Sequence, residues 1–475
     1  MSGKKMRIRF FKVTALLLAA VLTTGVFVGC GADKGGTSDK NGKTVVSVGN
    51  WPQNEGKQLD ALNARKESFE AQNPDVTIEP DLWRSELKTF YAKAAGGQLP
   101  TVYDTYMTEI RQIIESGYSA DLSEVLKKRG YDNKFNPKLM EIITSNDGDI
   151  YAFPSTAYVL GMAYNTEMFE AAGLTEADGT PKQPETWDEV VEFAKKLKEA
   201  TGKPGFVFPT ANNNGGWIFT CLAWSFGVDF MEKGDDGKWK ATFNTPEAAE
   251  ALEWIKDLKW KHDILPANTL IDNEEYMKIF ATGNAGMFIN AGDISSKAIT
   301  YGMGPDDYGM FALPAGPKRH VTLLGGKAYS VSSAASDEQI DAAIRWIETD
   351  CNYKATDDYK MNQENAIKVN VEKNCLVGLK SLSIWNSDTE SVKYLSELID
   401  KNMNCNPNHV RLYNEFVENL PCEIQPEEPV CAQELYGILD GCIQEVLTNE
   451  SADCAQLLEK AASDFQANYL DNLDY

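Results

Sequence analysis

Thr44-Val45-Val46-Ser47-Val48, followed by Leu59, Leu62 and Phe69 at helical spacing, then Asn73-Pro74 and Val76-Thr77-Ile78, is the stretch that decides the fold class. The first and last segments are β-branched runs of strand length, and the middle one carries an apolar stripe that Asn-Pro ends. Strand, helix, strand is a βαβ start and places the chain among α/β proteins. Further helix starts agree. Thr186-Trp187-Asp188-Glu189 has the capping-box form, with Val190, Phe193, Ala194 and Leu197 behind it on one face. Thr245-Pro246 pairs an N-cap with proline at the first helical position, and Ile340, Ala343, Ile344 and Ile347 form another stripe.

Upstream of this body, Lys4, Lys5, Arg7, Arg9 and Lys12 precede an apolar run from Val13 to Val28, and Gly29-Cys30-Gly31 follows. At 16 residues the run is shorter than a membrane span and has the layout of a secretory signal peptide. Phe27-Val28-Gly29-Cys30 resembles a bacterial lipobox, with Phe in place of the usual Leu, so residues 1–29 are expected to be a lipoprotein signal peptide and Cys30 the lipidated residue. Residues 30–43, polar and Gly-rich, read as that cysteine and a flexible tether. Two acyl chains suffice for stable anchoring, so the protein is expected at the extracytoplasmic face of a bacterial cell membrane.

Composition narrows the function. The chain has 475 residues, enough for two or three globular units, with 46 Lys+Arg against 70 Asp+Glu, a net charge of −24 and a pI near 4.6. Loss of residues 1–29 removes five positive charges and no negative ones, which takes the charge to −29. A phosphate-backbone binder needs the opposite sign, so no nucleic-acid partner is expected. His262, His320 and His409 have no metal-ligand spacing, and HExxH, paired CxxC and Gly-x-Ser-x-Gly are absent. Gly42-Lys43-Thr44 lacks the earlier glycine of a phosphate loop and leads into a strand instead of following one. No catalytic residue, metal or cofactor is expected. Eight cysteines follow Cys30, seven of them from Cys351 onward. They can be disulfides of an exported protein or small buried side chains; Cys405 and Cys422, beside Asn and Pro, favour a bridge, whereas Cys442 and Cys454 lie in helical patterns.

Several strings in order then resemble the extracellular solute-binding proteins of ABC importers, in the family that includes maltose- and oligosaccharide-binding proteins. They are Phe69-Glu70-Ala71-Gln72-Asn73-Pro74, Gly97-Gln98-Leu99-Pro100-Thr101, Gly148 to Pro154, Phe169-Glu170-Ala171-Ala172-Gly173-Leu174, Pro184-Glu185-Thr186-Trp187-Asp188-Glu189, Phe280 to Met287, and Phe311-Ala312-Leu313-Pro314. The resemblance implies a two-lobe periplasmic-binding-protein-like fold (type II), its lobes joined by crossing hinge strands near Phe153-Pro154, Met310 to Pro314 and Asp350. Lobe 1 would comprise 44–154 plus 314–350, and lobe 2 would comprise 155–313 plus 351–475. It implies a monomer that captures a carbohydrate, an oligosaccharide in the first instance, and delivers it to the transmembrane subunits of an ABC permease.

Carried over position by position, the resemblance puts ligand contacts at Asn50 and Trp51, at Thr105, Tyr106, Thr108 and Glu109, at Tyr158, at Asn213, Asn214 and Trp217, at Asn290 and Asp293, at Gly325 and Gly326, and at Tyr436. Aromatic faces beside short polar groups suit a sugar's C–H faces and hydroxyls. A peptide, a polyamine or a modified sugar acid on the same fold stays open, with Glu109 and Asp293 as the groups that would favour a cation. A surface glycosidase, needing two suitably spaced cleft carboxylates, and an adhesion lipoprotein without a cleft stay open as well.

Overall fold

The computed structural model describes residues 38–292 and 297–473; the signal segment, Cys30, most of the tether and Asp293 lie outside them. The βαβ start forms as read. β1 (Thr44–Val48) and β2 (Val76–Pro80) are parallel and in register from Thr44↔Val76 to Val48↔Pro80, with a helix over Lys57–Gln72 between them. Asn73 ends that helix, its backbone and side-chain N–H groups both donating to the Phe69 carbonyl. β3 (Val102–Tyr106) continues the sheet beside β1. β4 (Phe153–Val159) pairs with β10 (Val321–Val331), which also pairs antiparallel with β3 and parallel with β11 (Glu423–Pro426).

A second sheet is β8–β5–β9, with β5 over Gly161–Asn165, β8 over Met287–Asn290 and β9 over Tyr308–Ala312. Every residue of these three strands is buried, so both faces must be covered. The period-two alternation sends Ala163, Phe288, Tyr308 and Met310 into one apolar cluster and Met162, Tyr164, Met287, Ile289 and Phe311 into another. At Gly309 a Cβ would come within 2.1 Å of the His409 carbonyl, because the helix Pro407–Asn419 lies directly on β9. A small hairpin, β6 (Met231–Lys233) with β7 (Trp239–Ala241), completes the strands among the described residues.

Helix starts follow the sequence with one difference. Thr186 caps the helix Trp187–Thr201 by accepting from the Glu189 N–H at 3.2 Å. The Glu189 carboxylate, however, takes the N–H of Glu185 at 2.7 Å, one residue before the cap. Backbone amides at both positions are free of helical partners, and the carboxylate takes the one a residue earlier. The complete reciprocal box occurs at Ser336 and Gln339, ahead of the helix Asp337–Glu348.

β10 is one continuous strand. Val321 and Leu323 belong to the cluster that holds Met162 and Tyr164, while Leu324, Ala328 and Val331 belong to the other, with Val46 and Trp346. Tyr353 and Trp385 pack on Tyr131, Phe135 and Phe153, with Trp385 stacked on Phe135 at 5.2 Å and Tyr353 edge-on to Tyr131 at 4.9 Å. The segment after Asp350 therefore returns first to the core built on β4's start, and only the helices Ala432–Thr448 and Cys454–Asn468 pack wholly in the cluster with Trp224. The cysteines from Cys221 to Cys454 are all unbridged, Cys405 and Cys422 included, so the thiols serve as small buried or half-buried side chains.

Candidate functional site

β1 and β3 are parallel, and their carboxyl ends open onto the region where α/β sheets bind ligands. Tyr106 ends β3 and is 53% exposed, an unusual state for a large aromatic side chain. The Lys327 ammonium stands 5.0 Å from its ring centroid and 3.3 Å from Asp104. The helix Met107–Glu115 follows at once and brings Thr108, Glu109 and Gln112 to the wall of a cavity of about 310 Å³.

Three other segments complete that wall. From β4 comes Tyr158, whose ring lies across Gly325; a Cβ there would be 2.3 Å from the ring, so the glycine is required. Asn212 and Asn213, both left-handed at φ 57° and 68°, form the turn into the helix Asn214–Ser225, whose first turn presents Trp217. Asn tolerates this backbone better than most residues do. After β11 come Glu427 and Glu428, and then Gln433 and Tyr436 on the helix Ala432–Thr448. That helix runs so close to Asn214–Ser225 that a Cβ on Gly216 would meet the Tyr436 carbonyl at 2.2 Å.

The lining is acidic. Glu109, Glu427 and Glu428 contribute to it, and among the described residues no Lys, Arg or His does. Burial raises the Glu109 carboxyl above its ordinary range, opposed by the Thr105 hydroxyl, which donates to it at 2.7 Å. Burial also raises Glu427, opposed by Tyr436, whose hydroxyl donates to it at 2.8 Å, and by Trp217. Glu428 lies behind them, accepts from the Trp224 indole N–H at 2.9 Å, and is pushed up to about 7 by burial. A second cavity of about 510 Å³, which includes Asp272, Glu274, Lys297 and Tyr301, shares Asn212 and Asn214 with the first.

Among the residues expected from sequence, Tyr106, Thr108, Glu109, Tyr158, Asn213, Asn214, Trp217 and Tyr436 meet at this one cavity. The others lie elsewhere. Trp51 is 2% exposed and stacks on Trp346 at 6.2 Å, so it packs the core and offers no face to a solute. Thr105 is buried beneath Glu109, and Gly325 and Gly326 shape the wall through Tyr158 and the β4 backbone. Asn50 is exposed, off the cavity, and donates to Asp104 at 3.3 Å. Asn290 is buried and accepts the Gly292 N–H at 2.8 Å; Asp293 lies outside the described residues. The sequence reading missed Gln112, Asn212, Glu427, Glu428 and Gln433. The proline-flanked acidic pair in Pro426-Glu427-Glu428-Pro429, eight to nine residues ahead of Tyr436, was the available signal.

Relatives share this architecture. A protein of Brucella abortus (strain 2308), described as a binding protein, is 27% identical over 259 residues, which is 53% of this chain and 59% of its own length. The chain thus spans little more than half of that relative. The sn-glycerol-3-phosphate-binding periplasmic protein UgpB of Escherichia coli (strain K12) is 24% identical over 328 residues, 65% of this chain and 71% of its own. Among solved structures, maltose-bound MalE3 of T. maritima superposes with a TM-score of 0.61 at 23% identity, covering 89% of this chain and 99% of that one. The cyclic alpha-maltosyl-1,6-maltose binding protein of Arthrobacter globiformis gives 0.63 at 23%, covering 90% and 100%. These matches show the fold, a two-lobe solute-binding one. The model of the bacterial extracellular solute-binding proteins matches residues 50–350, well over half the chain, and the chain belongs to that family.

Proposed function

We propose that this protein is a lipid-anchored receptor of an ABC importer, capturing a carbohydrate between two lobes and handing it to the permease. The observation that supports the ligand class is the lining itself, where the rings of Tyr106, Tyr158 and Trp217 stand beside the amides of Asn213, Asn214 and Gln433 and the carboxylates of Glu109 and Glu427. Rings cover the C–H faces of a sugar, and carboxylates and amides take its hydroxyls. Two cavities of about 310 and 510 Å³ that share Asn212 and Asn214 in their walls offer room for more than one sugar ring, which favours an oligosaccharide. The motion would run through β4 and β10, whose pairing contains a bulge between Lys327 and Ala328. The lobe limits then follow those strands, with 351–386 joining the first lobe.

Isothermal titration against a panel of neutral oligosaccharides, polyamines and peptides tests the ligand class. A polyamine or peptide ligand with no sugar bound would replace the carbohydrate and leave the receptor role in place. Trp217→Ala is expected to weaken sugar binding by about 1–3 kcal/mol, the scale of a good stacking contact, with Trp217→Phe retaining most of it. Equal affinities for all three proteins would remove Trp217 from the ligand. For the anchor, Cys30→Ala is expected to abolish palmitate labelling in cells and to release the protein from the membrane fraction. Continued membrane retention of that variant would refute lipidation at Cys30.

A further inference from the structure

The helix Asn214–Ser225 begins at the cavity wall and is 12 residues long, so its free N–H groups would be the natural seat for an anionic solute. That seat is taken. Asp440, 5% exposed on the helix Ala432–Thr448, accepts the Asn213 N–H at Oδ2 and the Gly216 N–H at Oδ1, each at 2.7 Å. The fit is specific to these neighbours, because a Cβ on Gly215 would come 2.7 Å from Asp440 Oδ1. One turn earlier on the same helix, Tyr436 faces the cavity and holds Glu427. The amides that could bind a phosphate or carboxylate are thus occupied by the protein's own carboxylate, and among the described residues the remaining wall adds Glu109 and Glu427 and no Lys, Arg or His.

We infer that the cavity is built to reject anionic solutes, with Asp440 as the specificity-determining residue that closes the helix end to them. The solute is therefore neutral or cationic, a plain or amine-bearing saccharide in preference to a sugar phosphate or glycerol phosphate. An incoming anion would lose its hydration and face the carboxylates of Glu109 and Glu427 where Asp440 already holds the helix amides and no lysine, arginine or histidine among the described residues lines the wall, a combination that costs far more than a hydroxyl's burial. Trp217, Asn213 and Asn214 all ride on the segment that Asp440 caps, so the same contact also positions the sugar-facing groups. This inference deepens the proposed receptor role and rests on it only for the choice of cavity.

The test titrates wild type, Asp440→Asn and Asp440→Ala with neutral gluco-oligosaccharides, glucosamine oligomers, inorganic phosphate and sn-glycerol 3-phosphate, with thermal melts to confirm folding. Wild type is expected to show saturable binding in the neutral or amine-bearing arm and none in the two phosphate arms at millimolar concentration. Asp440→Ala, or Asp440→Asn if the alanine variant does not fold, is expected to gain phosphate affinity by about tenfold or more as the helix amides are freed. Saturable binding of either phosphate by wild type overturns the inference, and so does a folded Asp440 variant that binds phosphate no better. If no saccharide binds while both phosphate results come out as expected, the exclusion stands and the sugar reading is what fails.

Discussion

Trp51→Ala is expected to lower the unfolding free energy by about 3–5 kcal/mol, the range for deleting a large buried aromatic side chain. The ring is 2% exposed and stacked on Trp346, which also receives Phe69 edge-on at 5.4 Å and the Arg65 guanidinium at 4.2 Å from its centroid. Removing Trp51 leaves Trp346 unsupported on one face, and the helix Asp337–Glu348 that carries it lies against β1. Urea denaturation measures the loss. Because Trp51 is off the cavity, ligand affinity of the folded fraction should stay within about twofold. A stable variant with weakened binding would return Trp51 to the ligand site.

Glu428→Gln is expected to change how stability depends on pH. In the folded state burial pushes this carboxyl up to about 7 from an ordinary 4.5, with Asp229 and Glu427 adding to the rise and Trp224 and Arg319 opposing it. Between those values the folded protein keeps a proton that the unfolded chain has released. The stability attributable to Glu428 is therefore intact below about pH 4.5 and falls as pH rises through the window to about 7. The full interval is worth about 3 kcal/mol. Glutamine keeps an acceptor for the Trp224 N–H and cannot ionise, so the variant should gain on wild type at pH 8 and match it near pH 4. Burial also raises Glu109, Glu427 and Asp440, but the substitution leaves those side chains in place, so the difference between the two curves reads chiefly Glu428. Parallel stability curves from pH 4 to 8 would mean that Glu428 is already charged in the fold.

The aromatic groups at the cavity show how much could be read in advance. Tyr106, Tyr158 and Trp217, all at the cavity wall, were reached through the family resemblance, and Trp217 also stands beside Asn and Gly. Trp51, flanked by Asn50 and Pro52, has the same local look and is nevertheless core. Its neighbour Trp346 lies almost 300 residues away, and no local pattern records that meeting. Glu427 and Glu428 were missed for a related reason. Among 70 acidic residues, a pair between prolines stands out only when Tyr436 and Trp224 are seen to donate to it. The capping box at Thr186 was half right, since spacing predicts which residues can reach an amide and not which amide is nearer.

By itself the sequence determined the α/β class, the helix starts, the acidic surface and, through its ordered strings, the family, because these depend on short-range periodicity and on chemistry that repeats at fixed spacing. Tertiary structure alone decided which aromatics line the cavity and which are core, which amides Asp440 accepts from, and that one continuous strand, Val321–Val331, joins both apolar clusters. Those outcomes turn on contacts between residues far apart in the chain, whose energies are set by burial and by the distance between charges.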